Sequence, residues 1–273
     1  MVLLADLTHM VAIEAYPCQQ DGLKDFVDHI YYVHPFPHQM QRPSVFDFRP
    51  SPSVILHFQH FAQPDDGEQH PYQSKLTGPH LNHVPWQIPA GYQSWIIVFK
   101  PHGWYHYTGH SPLPIVSRSC YANHFFDKTA LQELHSFLQN TTNADTAMTY
   151  LAEWLLKNRR VPKQKIKPEF AEVVENMVAS EGLNRVEHFL NEKVKIRSLE
   201  RYFKKAVGLS PKLLLEILRY QKVLKLQETH LALNWNQESF KDYYYDQSHF
   251  QRDISRFRKP GVLPLVEPGV EIA

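Results

Sequence analysis

The chain is short of cysteine: Cys18 and Cys120 are the only two in 273 residues. Two cysteines cannot build a disulfide framework, and no Cys-x-x-Cys pair exists for metal or redox chemistry. A reducing cytoplasm is the compartment this suggests. Long apolar runs are also missing. The most apolar stretches, such as residues 95–99, are strand-sized, far below the roughly 18 residues a membrane helix needs. No membrane partner is therefore expected. The first residues carry no basic cluster and meet Asp6 early, which makes a poor signal peptide. Gly-x-Ser-x-Gly, Gly-x-x-x-x-Gly-Lys and Gly-x-Gly-x-x-Gly are all absent. Cys18 has no basic neighbour in sequence to lower its thiol pKa. The sequence offers no catalytic residue, no metal site and no cofactor site.

What is present is unevenly spread. Hydrophobic residues make up 43%, enough for a sizeable core. The net charge of +1 conceals −3 over residues 1–160, +6 over 161–264 and −2 over 265–273. A local excess of +6 suits a polyanion-binding module. Fourteen of the 20 prolines lie in residues 1–120 and 14 of the 17 histidines in residues 1–135.

Proline at that density forbids long helices in residues 1–120. Between the prolines lie runs rich in aromatic and β-branched residues, at 45–48, 53–61 and 92–99. They read as strands of an all-β sandwich or barrel. Helical spacing then takes over. Leu131, Leu134 and Leu138, followed by Met148, Leu151, Trp154 and Leu155, predict helices over 129–138 and 145–157. The apolar surplus of the second also suits a dimer seam, with packing on the sheet as the alternative. Residues 158–168 are basic and hold two prolines, as a linker does. Beyond them helices are predicted over 169–179, 184–190, 197–207, 211–227, 237–243 and 247–258. The fold class is therefore α+β. The predicted division is a β-rich sensor or oligomerisation domain over 1–160, a linker over 161–168, an all-α domain over 169–264 and a tail over 265–273.

Two helices in the last third look like readers of a duplex. In the first, Leu199, Tyr202, Phe203 and Ala206 form an apolar stripe, while Arg197, Glu200, Arg201 and Lys204 face away from it. Gly208 stops this helix in the left-handed conformation and Pro211 starts the next. With a short helix before it, the unit is a helix-turn-helix. In the second, Asp246 caps a helix whose core side is Phe250, Ile254 and Phe257. Gln247, Ser248, Gln251, Arg252, Ser255 and Arg256 point outward, and Gln and Arg are the side chains that read adenine and guanine edges. The connecting helix, residues 211–227, spans roughly 25 Å. With the helices it joins, it brings the two readers near one turn of B-DNA apart, ~34 Å.

Residues 184–264 resemble the DNA-binding domain of the AraC/XylS-type bacterial transcription regulators. The resemblance is carried by Arg197-Ser-Leu-Glu-Arg201-Tyr-Phe-Lys, Gly208-Leu-Ser-Pro-Lys212, Leu218-Arg-Tyr220 and Tyr244-Tyr-Asp-Gln-Ser-His-Phe250-Gln-Arg-Asp253. It implies a double helix-turn-helix that binds double-stranded DNA, and an N-terminal domain, cupin-like in this family, that senses a small-molecule effector, forms a homodimer, or both. RNA polymerase is the further partner it implies. The chain departs from the family pattern where Lys193 and Tyr243 replace turn glycines, where Phe189 replaces a small residue, and where Lys195 replaces a capping serine. A bulky residue in a left-handed turn costs of order 1 kcal/mol or more.

The N-terminal residues invite two further readings. Histidines cluster at His34 and His38, His57 and His60, His80 and His83, and His102, His106 and His110. A metal site needs three or four converging ligands, and the His-x-His pair common in cupin metal sites is missing. A cupin-like metal-dependent enzyme is the alternative this leaves, beside a helix-turn-helix protein that works through protein contacts. Trp86, Tyr92, Trp95, Phe99, Trp104, Tyr105 and Tyr107 suit either an apolar effector pocket or a plain barrel core. The run Phe99-Lys-Pro-His-Gly103 resembles a turn found in the regulatory domain of some AraC-type proteins.

Overall fold

A computed structural model of the protein describes residues 13–34, 44–60, 72–88, 92–141, 143–160, 162, 167–229, 241–261 and 265–266. The strands are β1 (Ile13–Pro17), β2 (Val27–Val33), β3 (Ser44–Phe48), β4 (Ile55–His60), β5 (Tyr72–Thr77), β6 (Val84–Ile88), β7 (Gln93–Phe99), β8 (Ser119–Tyr121) and β9 (Leu265–Val266). Seven of them form one sheet in the order β1-β2-β7-β4-β5-β8-β9, and β3 pairs with β6 in a second. All pairings are antiparallel except β8 with β9. The α+β class read from the sequence is the observed one.

β4 and β7 lie at the centre of the large sheet, so both of their faces are covered. Register pairs Leu56 with Ile97 and Phe58 with Trp95 on one face, and Ile55 with Val98 and His57 with Ile96 on the other. The first set faces helices α1 (Gly103–Thr108), α2 (Lys128–Asn140) and α3 (Ala144–Lys157) and joins them in one apolar cluster. Trp154 meets Phe58 edge-on at 5.7 Å and donates from Nε1 to the Ala130 carbonyl. Leu151, Trp154 and Leu155 are thus buried within the chain, and packing on the sheet accounts for the apolar surplus of α3. His57 on the other face meets Phe48 of β3 edge-on at 5.9 Å.

The helix α1 lies where the proline-rich stretch reads as all-β. Trp104, Tyr107 and Thr108 are buried on one helical face, and that packing outweighs the strand preference of aromatic residues. Gly103 opens the helix because a Cβ there would lie 1.9 Å from the Phe26 carbonyl oxygen.

A second apolar cluster is built by α4 (Pro168–Ala179), α5 (Ile196–Ala206), α6 (Pro211–Thr229) and α7 (Gln247–Phe257). The expected helix over 184–190 is instead a single 3-10 turn, Val186–Phe189, with no fully buried side chain. A piece that short, without a covered face, does not repay helix nucleation. Most of the expected helix over 237–243 lies outside the described residues. Of the expected linker, residues 161 and 163–166 also lie outside them. Its first residues are tied down: the Arg160 amide donates to the Tyr107 carbonyl, and the Arg159 guanidinium lies 4.3 Å from the Phe26 ring centre.

Several hydrogen bonds join the two clusters. The His83 ring and Tyr220 hydroxyl are 2.7 Å apart, as are the His106 ring and Tyr202 hydroxyl. Gln221 donates to the Pro50 carbonyl at 2.7 Å.

Candidate nucleic-acid interface

The helix α5 buries Leu199, Phe203 and Ala206 and leaves Arg197, Glu200, Arg201, Lys204 and Lys205 exposed. Lys195 stands at its N-cap without a side-chain hydrogen bond. The turn before it is held by another residue. Asn191 Oδ1 accepts from the amides of Lys193 and Val194, both at 2.9 Å, and the Asn191 amide donates to the Val194 carbonyl. Lys193 and Tyr243 do not take positive φ; among the described non-glycine residues only Ser117 and Glu181 do. The strain expected from bulky residues in left-handed turns is therefore not incurred, because the Asn191 side chain closes the first turn by a different route. An asparagine a few residues before a helix was the sequence signal for it. At the other end Gly208 has φ +77°, and its amide donates to the Phe203 carbonyl.

The helix α7 begins at Asp246, whose Oδ1 accepts from the His249 amide at 2.7 Å. Phe250, Asp253, Ile254 and Phe257 are buried. Gln247, Ser248, Gln251, Arg252, Ser255 and Arg256, joined by Lys259, line an open groove of about 720 Å³ along the other face. No carboxylate lies among these groove residues. Arg256 is already engaged: its Nη1 donates to Glu216 Oε2 of α6 at 2.7 Å. Arg197, Arg201, Lys204 and Arg252 have no ion-pair partner among the described residues. Tyr245, one residue before the cap, is 89% exposed.

Asp253 is the one acid on α7 and it turns inward. It accepts from Arg219 of α6, whose guanidinium also lies 5.1 Å from the Tyr244 ring centre. Burial raises the Tyr244 phenol above its ordinary pKa. The 19 residues of α6 give a rigid bar of about 28 Å between the two units.

The remaining sequence-derived candidates are placed as follows. Trp95, Phe99, Trp104 and Tyr107 are all in the core between sheet and helices. The helices α1 to α3 cover that face of the sheet, and Trp95 also borders a small cleft with Phe58, Ser94 and His135. Tyr105 instead lies under Lys205 of α5, 5.4 Å from ring centre to Nζ. The side chain of Trp86 lies outside the described residues, as does His38. Among the described residues no three His, Cys, Asp or Glu side chains gather as metal ligands. Burial pushes His57 and His102 down to about 3 and His80 and His106 down to about 4. Burial raises both thiols, Cys120 to about 12. No helix among the described residues is long and apolar enough to cross a membrane.

Comparison with known protein families and with curated proteins finds no match. Among solved structures, ToxT from Vibrio cholerae aligns over 96% of this chain and 98% of its own, at a TM-score of 0.40 and 9% identity. A likeness that loose defines neither a family nor a site.

Proposed function

We propose that the chain is a sequence-specific, DNA-binding transcription regulator of the AraC type. The observation that carries this reading is the pair of outward faces, on α5 and α7, joined by the bar of α6. Arg197, Arg201 and Lys204 on the first, and Gln247, Ser248, Gln251 and Arg252 on the second, are exposed, and the arginines and the lysine are without ion-pair partners among the described residues. Unpaired cations of this kind attract phosphates; an exposed Arg donates twice to a guanine edge, and an exposed Gln donates to and accepts from an adenine edge. Glu200 sits among the basic residues of α5, where its carboxylate repels phosphate and accepts from the amine of cytosine. Arg256, held by Glu216, contributes through that pair.

In this reading residues 169–264 form the DNA-binding domain, 161–168 the linker and 1–160 the effector-sensing or dimerisation domain, with RNA polymerase as the downstream partner and the cytoplasm as the place of action. The face of the large sheet turned away from the helices, where His57 and Gln59 lie beside Ile55, Ile96 and Val98, offers an effector an apolar lining with polar handles. His57 and Gln59 are buried on β4, with Ser94 opposite Gln59 on β7 and Lys75 opposite His57 on β5.

The test is selection of genomic fragments by the purified full chain at low salt, followed by sequencing. A shared motif with two half-sites about one helical turn apart supports the reading. Absence of any binding at low salt rejects it in favour of a helix-turn-helix protein that acts through protein contacts.

A further inference from the structure

A second hollow lies beside the outward groove of α7. It is an open cleft of about 810 Å³ between the turn that follows α4, the first half of α6, and α7. Arg252 and Arg256 line both the cleft and the outward groove, so the two run together along one side of α7. Leu183 to Glu187 form the wall from the first unit, and Lys241 to Tyr245 form the wall from the second.

Both walls are seated on α6. Gly182, at φ +81°, lets the first wall lie directly on that helix: a Cβ there would come 2.5 Å from the Arg219 nitrogen and the Leu215 carbonyl oxygen. Beside it the Glu181 carboxylate accepts from Lys222 of α6. On the other side the Arg219–Asp253 pair and the Phe257–Tyr220 ring contact hold α7 to the same helix. The cleft therefore keeps its width, and the charges on its two walls keep their separation.

Those charges are unevenly placed. The floor is compensated: Arg219 is paired with Asp253, and Arg256 with Glu216. The rim is cationic. Arg185, Lys241 and Arg252 are exposed and have no ion-pair partner among the described residues. Lys212 is exposed and lies 3.8 Å from Glu216. Against these four cations stand two exposed acids, Glu187 and Asp242.

Two helices set into successive major grooves on one face of a duplex leave the backbone between those grooves facing the protein. We propose that the cleft receives this sugar–phosphate backbone, with Arg185 and Lys241, one from each wall, on phosphates between the two reading sites. The assignment rests on the function proposed above. Lys and Arg attract phosphate whatever the base sequence, and such contacts set the register of a protein on its duplex. Continuity with the groove of α7, through Arg252 and Arg256, favours DNA over an acidic protein segment as the occupant.

The experiment uses the full chain and the fragment selected as above. Neutral methylphosphonate linkages are placed in pairs along the stretch between the half-sites and, as a control, outside both half-sites. Wild type is compared with Arg185→Gln combined with Lys241→Gln, and with Arg185→Lys combined with Lys241→Arg, which keeps both charges. Urea midpoints check that all three are equally stable. At the best central position the neutral linkages cost wild type about tenfold in affinity and the Gln double variant about twofold or less. The Gln double variant also loses ~1.8 from the slope of log affinity against log salt, and the charge-keeping variant restores it. Linkages outside the half-sites affect all three proteins equally.

A wild type that binds the fragment but is indifferent to every central linkage overturns the proposal and leaves the regulator reading standing. Equal central losses in wild type and the Gln double variant overturn it as well. An unchanged salt slope in that variant overturns it in favour of an acidic protein segment. If wild type binds no DNA at low salt, the regulator reading fails and the cleft assignment fails with it.

Discussion

Arg219 donates from Nε and Nη2 to a single oxygen of Asp253, Oδ2, at 3.2 and 2.8 Å. The two side chains are 11% and 9% exposed, so the pair joins α6 to α7 away from water. It fixes the roll of α7 about its own axis. With Asp253 inward, Gln247, Gln251 and Arg252 must point out.

Breaking this pair by removing one partner leaves a buried charge. Asp253→Ala should destabilise the protein by about 3 kcal/mol, and Arg219→Met by a similar amount. Arg219→Met with Asp253→Leu should recover most of the loss, since an apolar pair of similar volume avoids the desolvation cost. Urea unfolding midpoints with unchanged slope provide the measurement. A double variant as unstable as the single ones would mean that the pair supplies net stability of its own.

If the proposed function holds, the cations on α5 and α7 differ in their effect on DNA. Neutralising Arg197, Arg201, Lys204 or Arg252 singly should each flatten the dependence of log affinity on log salt by ~0.9. Arg256→Gln should change it less, because Glu216 already neutralises that guanidinium. Glu216→Gln should free it and steepen the dependence. Binding titrations at several salt concentrations read all of these directly. Equal slopes for Arg252→Gln and Arg256→Gln would contradict the role assigned to Glu216.

Base reading should reside at the start of α7. Gln247→Ala or Arg252→Ala should relax preference at one or two base positions by ~1–3 kcal/mol and leave distant positions unchanged. Asp246→Ala should act differently: loss of the cap costs ~1 kcal/mol of stability, while Asp246→Asn costs little. A base-by-base substitution scan of the selected site separates the two kinds of effect. Uniform weakening at every position would mean that α7 positions the protein without reading sequence.

Stability should fall in mild acid. His57, His80, His102 and His106 are held by burial well below the ordinary imidazole value of 6.5. Each is neutral in the folded chain and takes up a proton on unfolding once the pH drops under 6.5. Their contribution is complete above that value and is lost as pH falls from there toward 4 and 3, the folded values. Each histidine contributes a slope of at most ~1.4 kcal/mol per pH unit across that window. Urea unfolding at about pH 7, 6 and 5 measures the combined slope, and His57→Gln should make it shallower.

The local half of this architecture was legible in the sequence. The apolar stripe of Leu199, Phe203 and Ala206 marks one buried face of α5, and Gly208 marks its end, because both signals lie within a few residues of each other. Asp246 is legible as a cap for the same reason. The long-range half was not. His83 and Tyr220 are bonded across 137 positions, and no local pattern in either stretch announces the other. β9 has only two residues, too few for any periodicity. Trp104 and Tyr107 misled because aromatic residues prefer strands in general, whereas here three helices supply the partner surface. Arg219 and Asp253 were visible only as charged residues in amphipathic helices; that they face each other depends on how α6 crosses α7.

The place of β9 also sets an order of events at the ribosome. Its partner β8 is made roughly 145 residues earlier. At 5–20 residues per second, roughly 7 to 30 seconds separate the synthesis of the two strands. Through that interval β8 is an open sheet edge, with backbone donors and acceptors ready to pair with any extended chain nearby. The nascent sheet is therefore exposed to misassociation until α5, α6 and α7 have been made and β9 has paired with β8.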